Sequence, residues 1–340
     1  MSVRSPVRAV LLGCSQDAGV PQMGCSCRQC GYARCHPDYE DGMVACLGVV
    51  DEVEGKVFLV DATPNLRRQL WAIQHSERRG GNERPLELGG ILLTHAHTGH
   101  YTGLLQLGKE EADTRGVPVF CTPSMAKFLR NNQPWAQLTE RGNISIREID
   151  SMGADGDAAS VRLTPSISFL AVDVPHRSEL SDTVAYVVSL SNHSGAAGAT
   201  VSRSEVDTGS AGRVVGRDGG GEKALKLLYC PDTDGWTGWT RSIKDWCEEV
   251  DVALLDATFY DKDELKGRNM SEVSHPIAQD TMKELTGCKA EVVFVHLNHT
   301  NPLLAKDSPE RAKALAAGFK VGTFGMEWTP PLKHAAEPDA

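Results

Sequence analysis

The sequence contains no long hydrophobic run. None of its 340 residues falls in a segment that approaches the roughly 18 consecutive apolar residues of a membrane-spanning helix. Near the amino terminus, the apolar stretch Val10–Leu12 is too short for the core of a signal peptide, and the charged Asp17 soon follows. We therefore expect a cytoplasmic protein with no membrane partner.

The sequence also lacks an excess of positive charge. It has 35 Lys and Arg residues against 45 Asp and Glu residues, which gives a formal net charge of −10. Such a chain repels the phosphate backbone of a nucleic acid, so a nucleic-acid partner is not expected. A small-molecule or peptide substrate is the alternative, and a bound metal would attract an anionic one. No pattern in the sequence indicates an oligomeric state.

Internal repeats are absent, and short apolar runs alternate with amphipathic segments along the chain. Lys56–Asp61, Gly90–Thr94 and Glu291–His296 are typical of buried strands, while Pro123–Asn131 and Pro309–Ala317 are typical of helices. This alternation predicts a layered α/β protein, which we interpret as one domain over residues 1–340. A segment rich in Ser, Gly and charge, at about residues 191–221, is expected to be a flexible insertion.

A histidine cluster follows one of the predicted strands. The segment Thr94-His95-Ala96-His97-Thr98-Gly99-His100 places three histidines within six residues. In an extended chain His95 and His97 project to the same side, and neutral imidazole nitrogens are good ligands for zinc or iron. The spacing therefore favours a metal site over a solvated loop that happens to be rich in histidine.

This segment resembles the HxHxDH signature of the metallo-β-lactamase superfamily. The resemblance implies an αββα sandwich whose metal ligands lie in loops along one edge. It further implies that Asp61 orients the site and that the metal ligands are His95, His97, His100, His176, His296 and a bridging Asp232. The Asp of the signature, a ligand of the second metal, is replaced by Gly99, so we expect an active site with one metal or with two of unequal affinity.

A cysteine cluster lies near the amino terminus. Cys25, Cys27 and Cys30 are spaced so that three thiolates can converge on one tetrahedral zinc, and a cytosolic chain is expected to use them for a metal rather than for disulfides. Cys35 and His36 are the nearest candidates for the fourth ligand. The cyclic-phosphate phosphodiesterases of phosphonate metabolism, which the sequence also resembles, imply His299 instead.

The most extensive resemblance is to the pyrroloquinoline quinone biosynthesis B family. It rests on stretches such as GVPQMGCSCRQC, DATPNLRRQL, LLTHAHTGHYTGLLQL, VPHRSELSDTVAY and HLNHTNPLLAKDSPERAKAL, which together run from about residue 10 to 328. That family usually lacks the first two histidines, whereas His95 and His97 are present here. The chain is therefore expected to share the family's fold, and the sequence does not identify its substrate.

Two further residues are candidates for the chemistry. His275, in Ser274-His275-Pro276, matches a late-loop histidine that donates a proton in the phosphodiesterase relatives, although it could equally be a residue at a helix start. Arg177 could bind a substrate carboxylate or phosphate with its guanidinium group, or pair with Glu179 at the surface.

Three functional hypotheses follow from these residues. The leading one is a metal-dependent hydrolase that attacks an ester or phosphodiester with metal-activated water, with Zn2+ or Fe2+ in the active site and a separate structural Zn2+. The second is an iron-dependent oxygenase acting on a peptide or a small precursor, as the quinone-biosynthesis resemblance implies. The third is a carrier or binding protein without catalysis, which the replacement of the signature Asp by Gly99 favours.

Overall fold

The computed structural model describes residues 5–75, 85–153, 158–192, 224–264 and 274–332. Most of the predicted insertion at about 191–221 lies outside the described residues. Fifteen strands in these ranges form two sheets, which eight α-helices flank. Within the described part of the chain, no helix combines the length and the hydrophobicity that a membrane crossing needs.

The first sheet has seven strands in the order β15-β1-β2-β3-β4-β5-β6. β1 and β3 both run antiparallel to β2, so they point the same way, and β4, β5 and β6 continue in parallel with β3. The bounds of these strands are β1 Val7–Leu11, β2 Leu47–Asp51, β3 Lys56–Val60, β4 Glu87–Leu92, β5 Val117–Cys121, β6 Ile144–Glu148 and β15 Glu327–Trp328.

The second sheet has eight strands, with the order β14-β13-β12-β11-β10-β9-β7 and β8 paired to β9. β11 to β14 are parallel, and β9 has the same direction because both β9 and β11 run antiparallel to β10. The strands are β7 Ser151–Met152, β8 Val161–Arg162, β9 Ile167–Asp173, β10 Val184–Leu190, β11 Leu225–Cys230, β12 Val252–Asp256, β13 Glu291–Val295 and β14 Lys320–Val321.

The helices cover the outer faces of the two sheets. They are α1 Arg28–Cys35, α2 Leu66–Gln74, α3 Thr98–Tyr101, α4 Pro123–Asn131, α5 Trp135–Glu140, α6 Ile243–Glu249, α7 Ala278–Glu284 and α8 Pro309–Ala316. Helix α8 begins as its sequence predicts, because the Ser308 hydroxyl accepts a hydrogen bond from the Arg311 amide and Pro309 occupies the first turn.

The hydrophobic core divides into three layers. The central layer packs the inner faces of the two sheets together, with Phe58, Phe169 and Tyr186 among its large side chains. A second layer lies between the first sheet and α2 to α5, and a third lies between the second sheet and the remaining helices. This is the αββα sandwich that the histidine signature implies, and the predicted fold class is confirmed.

One edge of this sandwich collects the chemically important side chains. Because β1, β3, β4, β9, β11, β12 and β13 all point the same way within their sheets, the loops that follow the strands of each sheet lie at one end of that sheet. The two sheets are tied together there: the Tyr186 hydroxyl donates to the Leu93 carbonyl at 2.7 Å, and the Val184 amide donates to the Thr94 carbonyl at 3.1 Å. The loops of both sheets therefore face each other.

Candidate metal centre

The first donor group joins loops of both sheets. His95 and His97 follow β4, His176 follows β9, and Asp232 follows β11. Nδ1 of His97 lies 2.8 Å from Nε2 of His95 and 3.2 Å from Nε2 of His176. The Asp232 carboxylate lies 3.2 Å from Nε2 of His95 and 3.2 Å from Nε2 of His176. One ligand atom from each of the four residues fits within 4.8 Å of the others, which is the geometry of a metal site.

A second donor group shares Asp232 with the first. His100 at α3, His296 after β13 and Asp17 after β1 direct their side chains to one point. Oδ1 of Asp17 lies 3.0 Å from Nε2 of His100 and 3.5 Å from Nε2 of His296. Oδ2 of Asp232 lies 3.8 Å and 3.9 Å from the same two nitrogens. Asp232 therefore stands between two positions, as a carboxylate that bridges two metals must.

Each imidazole of the second group is oriented by a hydrogen bond on its outer nitrogen. Asp61, buried at the end of β3, accepts from Nδ1 of His100 at 2.7 Å, and Thr258 bonds to Nδ1 of His296 at 2.9 Å. These contacts fix the ring so that Nε2 faces the site. The contact of Asp61 with His100 is the one that an orienting acid would make.

The imidazoles of the first group have similar outer partners. Nδ1 of His176 lies 2.8 Å from Asp234, and Nε2 of His97 lies 3.3 Å from Glu179. Neither acid was singled out as an orienting residue from the sequence, since both lie in polar loops. Carboxylates in such positions hold a histidine ligand in one tautomer and increase its basicity.

The backbone is strained where two site residues leave their strands. Asp61 has a φ of 72° and His296 a φ of 60°, values that residues other than glycine rarely adopt. The 3-10 turn that directly follows α3 packs closely against the chain after β3, since a β-carbon at Gly103 would lie 2.0 Å from the Thr63 carbonyl oxygen. Strain of this kind persists when the surrounding structure enforces it, and here it aims both side chains at the site.

Burial sets the charge states of the cluster. Burial and the neighbouring His100 lower the pKa of His95 to about 3, although Asp232 opposes this shift. His95 is therefore neutral near pH 7, with a nitrogen lone pair free for a metal. Burial acts to raise the pKa of Asp232, but His296 and His275 outweigh it and hold that pKa well below its usual range. Asp232 is thus an anion, as a bridging ligand requires.

The buried polar atoms at the second position fit a metal ion. Nε2 of His100, Nε2 of His296 and Oδ1 of Asp17 are buried and have no well-directed hydrogen-bond partner among the described residues. Burying unpaired polar atoms costs roughly 1–3 kcal/mol each, so three such atoms converging on one point need a common partner. A divalent cation satisfies all three at once.

Asp17 corrects an expectation drawn from the sequence. Gly99 lacks a side chain, and the second position was expected to lose one anionic oxygen donor. The structure instead places the Asp17 carboxylate there, from the loop after β1. No sequence motif marks this residue, because its contribution depends on a loop that meets the histidines only in the folded chain.

His275 joins the same edge and faces two carboxylates. Its Nδ1 lies 2.9 Å from Asp256 and 3.2 Å from Asp232. Although burial acts to lower it, those two carboxylates raise the pKa of His275 to about 10, so the ring holds a proton at neutral pH. The ring precedes α7 rather than starting it, and its side chain is 10% exposed. Asp256 ends an apolar strand as Asp61 does, a signal that the sequence offered.

Arg177 lies apart from these groups. It is exposed, and its guanidinium group lies 3.8 Å from Glu179, which also contacts His97. The surface ion pair with Glu179, one of the two readings of its sequence, is therefore present. Such a pair contributes little to stability, but it positions Glu179 beside the first donor group.

The cysteine cluster forms a separate donor group. Cys25 and Cys27 lie 3.4 Å and 3.5 Å from Nδ1 of His299, and Cys30 completes a set whose ligand atoms fall within 4.8 Å of one another. All three thiols are free of disulfides. The group contains His299 and neither of the neighbouring candidates, the exposed residues Cys35 and His36.

This geometry suits a structural zinc. Three thiols and one imidazole are a common tetrahedral zinc set. A hydrogen bond from the Cys27 amide is the main cause that lowers the pKa of Cys25, which favours the thiolate that a metal binds. The amino-terminal loop and the chain after β13 meet here, so a zinc at this point would join them.

Comparison with known proteins identifies the family of this chain. The family profile described as "Beta-lactamase superfamily domain" matches residues 56–297. Two curated relatives are coenzyme PQQ synthesis protein B of Pseudomonas aeruginosa, 27% identical, and the protein of the same name from Methylorubrum extorquens, 25% identical. The alignments cover 93% of this chain and 97% of the first relative, and 94% and 99% for the second.

Solved structures share the fold. Zinc-bound PqqB from Methylobacterium extorquens superposes with a TM-score of 0.68 at 20% identity, over 94% of this chain and 99% of that one. A diphosphatase from the PhnP family superposes with a TM-score of 0.58 at 18% identity, over 95% and 96% of the two chains. At these identities the likeness concerns the fold.

Proposed function

Because the chain belongs to the beta-lactamase superfamily, we propose that it is a metal-dependent hydrolase of small phosphodiesters or esters. The observation that carries this proposal is the pair of donor groups that share Asp232, one with three histidines and one with two histidines and Asp17. Zn2+ or Fe2+ suits the imidazole-rich first group, and a structural Zn2+ suits the cysteine cluster.

The protein side chains prepare the site for hydrolysis. When bound, the metals supply a hydroxide from water at neutral pH and polarise the bond to be broken. Asp232 contributes a negative charge between the two positions, while Asp61, Asp234 and Thr258 hold the histidines in orientation. The histidine ligands are almost fully buried except for His97, whose side chain is 17% exposed, so a substrate approaches from its side of the cluster.

His275 is the proposed proton donor. Its ring lies within 5.7 Å of the rings of both His176 and His296, centroid to centroid, so it borders both metal positions. Asp256 and Asp232 keep it protonated at neutral pH. A protonated imidazole beside the bond that breaks can transfer its proton to the leaving oxygen. Loss of that proton leaves a neutral ring still held by Asp256.

The substrate class is inferred from the charge of the site and from the proteins that share its fold. Two bound cations beside a protonated His275 would favour an anionic substrate such as a phosphodiester, even though the whole chain is acidic. One structural neighbour is a diphosphatase, which is consistent with phosphorus chemistry on this fold. An uncharged ester is the alternative within the same reaction class.

An oxidative function is the second candidate. It is favoured by the 27% identity to coenzyme PQQ synthesis protein B over nearly the whole of both chains. In that case the first donor group would hold Fe2+ with positions open for oxygen, and the substrate would be a peptide or a small precursor. The intact His95 and His97 pair and the second donor group support hydrolysis instead.

Anaerobic purification followed by metal analysis separates the two functions. The hydrolase account predicts turnover of bis-p-nitrophenyl phosphate or p-nitrophenyl acetate, without oxygen consumption, by protein whose active-site metal is quantified. His97→Ala should abolish this turnover. Oxygen uptake with bound iron and no ester turnover would support the oxygenase. Metal-loaded protein with neither activity would point to a carrier.

A further inference from the structure

The side chain of Asp17 occupies the space next to Gly99. A β-carbon built on Gly99 would lie 2.5 Å from Cα of Asp17, 2.5 Å from its Oδ1 and 2.9 Å from its Cβ. Carbon atoms do not approach this closely without moving the backbone. Position 99 therefore has no room for any side chain while Asp17 holds its place, and the two residues depend on each other.

We propose that Asp17 is the fourth ligand of the second metal position, and that it supplies from the loop after β1 the carboxylate that residue 99 cannot. Its Oδ1 lies 3.0 Å from Nε2 of His100 and 3.5 Å from Nε2 of His296. With Asp232, the position then has two carboxylates and two imidazoles, a donor set suited to a divalent transition metal. The inference rests on the proposed metal centre.

The backbone holds Asp17 in register with His296. The Gln16 amide donates to the Leu297 carbonyl at 3.0 Å, and the Leu297 amide donates to the Cys14 carbonyl at 2.8 Å. The residues directly before Asp17 and directly after His296 are thus hydrogen-bonded to each other. This pairing fixes the distance between the two side chains without a helix, which explains how a loop residue can serve as a ligand.

An ion pair between Asp17 and a protonated His100 is the competing explanation of the short contact. The unpaired polar atoms around Asp17 favour a metal ion instead. Oδ1 of Asp17 and Nε2 of His100 both lack a well-directed hydrogen bond within the described ranges, and so does Nε2 of His296, which lies 3.5 Å from the same Oδ1. An ion pair with His100 would use only two of these three atoms, whereas one metal ion between them would engage all three.

The test is zinc binding in buffers of defined free Zn2+, with bound ions counted per chain by plasma emission. Wild type should bind three: one at the cysteine cluster and two at the centre. Asp17→Asn keeps the shape but removes the charge, so its third ion should bind at least about 10-fold more weakly, the lower end of what loss of even an outer partner costs. The exposed Asp38→Asn is the matched control and should bind as wild type does.

A second pair of variants keeps the inference testable if Asp17→Asn does not fold. Asp17→Ala should lose the third ion, whereas Asp17→Glu, which keeps a carboxylate on the same loop, should retain part of the binding. Equal ion counts in the two variants, or a third ion of unchanged affinity in folded Asp17→Asn, would contradict the assignment of Asp17 as a ligand. Neither result would contradict the rest of the proposed metal centre. A wild-type chain with no ion beyond the cysteine cluster would overturn the metal centre as well.

Discussion

Cα of Asp17 lies 2.5 Å from the point that a β-carbon of Gly99 would occupy. From the sequence alone, an aspartate at position 99 would be expected to act as a ligand of the second metal, as it does in the superfamily signature. In the folded chain Gly99→Asp alone forces the Asp17 loop away, so it should lower thermal stability and should not tighten the second metal. Asp17→Gly does not relieve this contact, because the Cα of residue 17 remains.

Removal of one cysteine should release the structural zinc. Cys27→Ser leaves two thiols and His299 in the cluster, so one zinc per chain should be lost and the melting temperature should fall. Metal analysis and thermal unfolding measure both effects. Cys35→Ser is the control, because Cys35 is exposed and lies outside the cluster. A Cys27→Ser protein with full zinc content would disprove the assignment.

Loss of His97 should stop catalysis and spare the fold. His97 is at the accessible side of the first donor group, and its side chain is 17% exposed. His97→Ala should therefore lower kcat by more than the roughly 10- to 100-fold that loss of a residue orienting a metal ligand costs, while the zinc of the cysteine cluster stays bound. His75→Ala, which removes an exposed histidine at the end of α2, should behave as wild type. Normal turnover by metal-quantified His97→Ala would exclude this group from the reaction.

A proton donor has a recognisable dependence on the leaving group. If His275 protonates the leaving oxygen, His275→Ala should slow the hydrolysis of alkyl esters by roughly 100-fold or more. It should slow p-nitrophenyl esters much less, because that leaving group departs without a proton. Rates for a series of leaving groups measure the difference. An equal loss for all leaving groups would instead indicate that His275 binds metal or only shapes the site.

Glu264 should make stability depend on pH. Burial is the main cause that raises its pKa to about 7 from the usual 4.5, although hydrogen bonds from Thr300 and the Tyr260 amide oppose the shift. The folded state then binds the proton more tightly than the unfolded state, so the stabilising effect is complete below about pH 4.5 and is lost as pH rises through 7. The ionised form should cost on the order of 2 kcal/mol.

Urea unfolding of wild type and Glu264→Gln measures this effect, since the neutral amide keeps the shape and removes the charge. Relative to wild type, the variant should gain about 2 kcal/mol in free energy of unfolding between pH 5 and pH 8. The carboxylates of the metal centre titrate in both proteins and cancel in the difference. A difference that is constant over this range would show that Glu264 titrates normally in the folded chain.

Much of the centre could be predicted from the sequence because its histidines follow apolar strands. His95 and His296 come directly after such runs, and parallel strands bring their ends to one edge. The fold class followed from the same signature. Short edge strands such as β15 carried no signal, since two residues cannot show a period. Asp17 could not be found, because its contribution depends on a hydrogen-bonded loop and on the absence of a side chain at Gly99.

Anomalous diffraction from metal-loaded crystals tests the central claim most directly. Data recorded on both sides of the zinc or iron absorption edge locate each metal without reference to activity. The account predicts one peak among Cys25, Cys27, Cys30 and His299 and two peaks on either side of Asp232, the second within bonding distance of Asp17. A structure with metal at the cysteine cluster and none between His95, His97, His176 and Asp232 would contradict it.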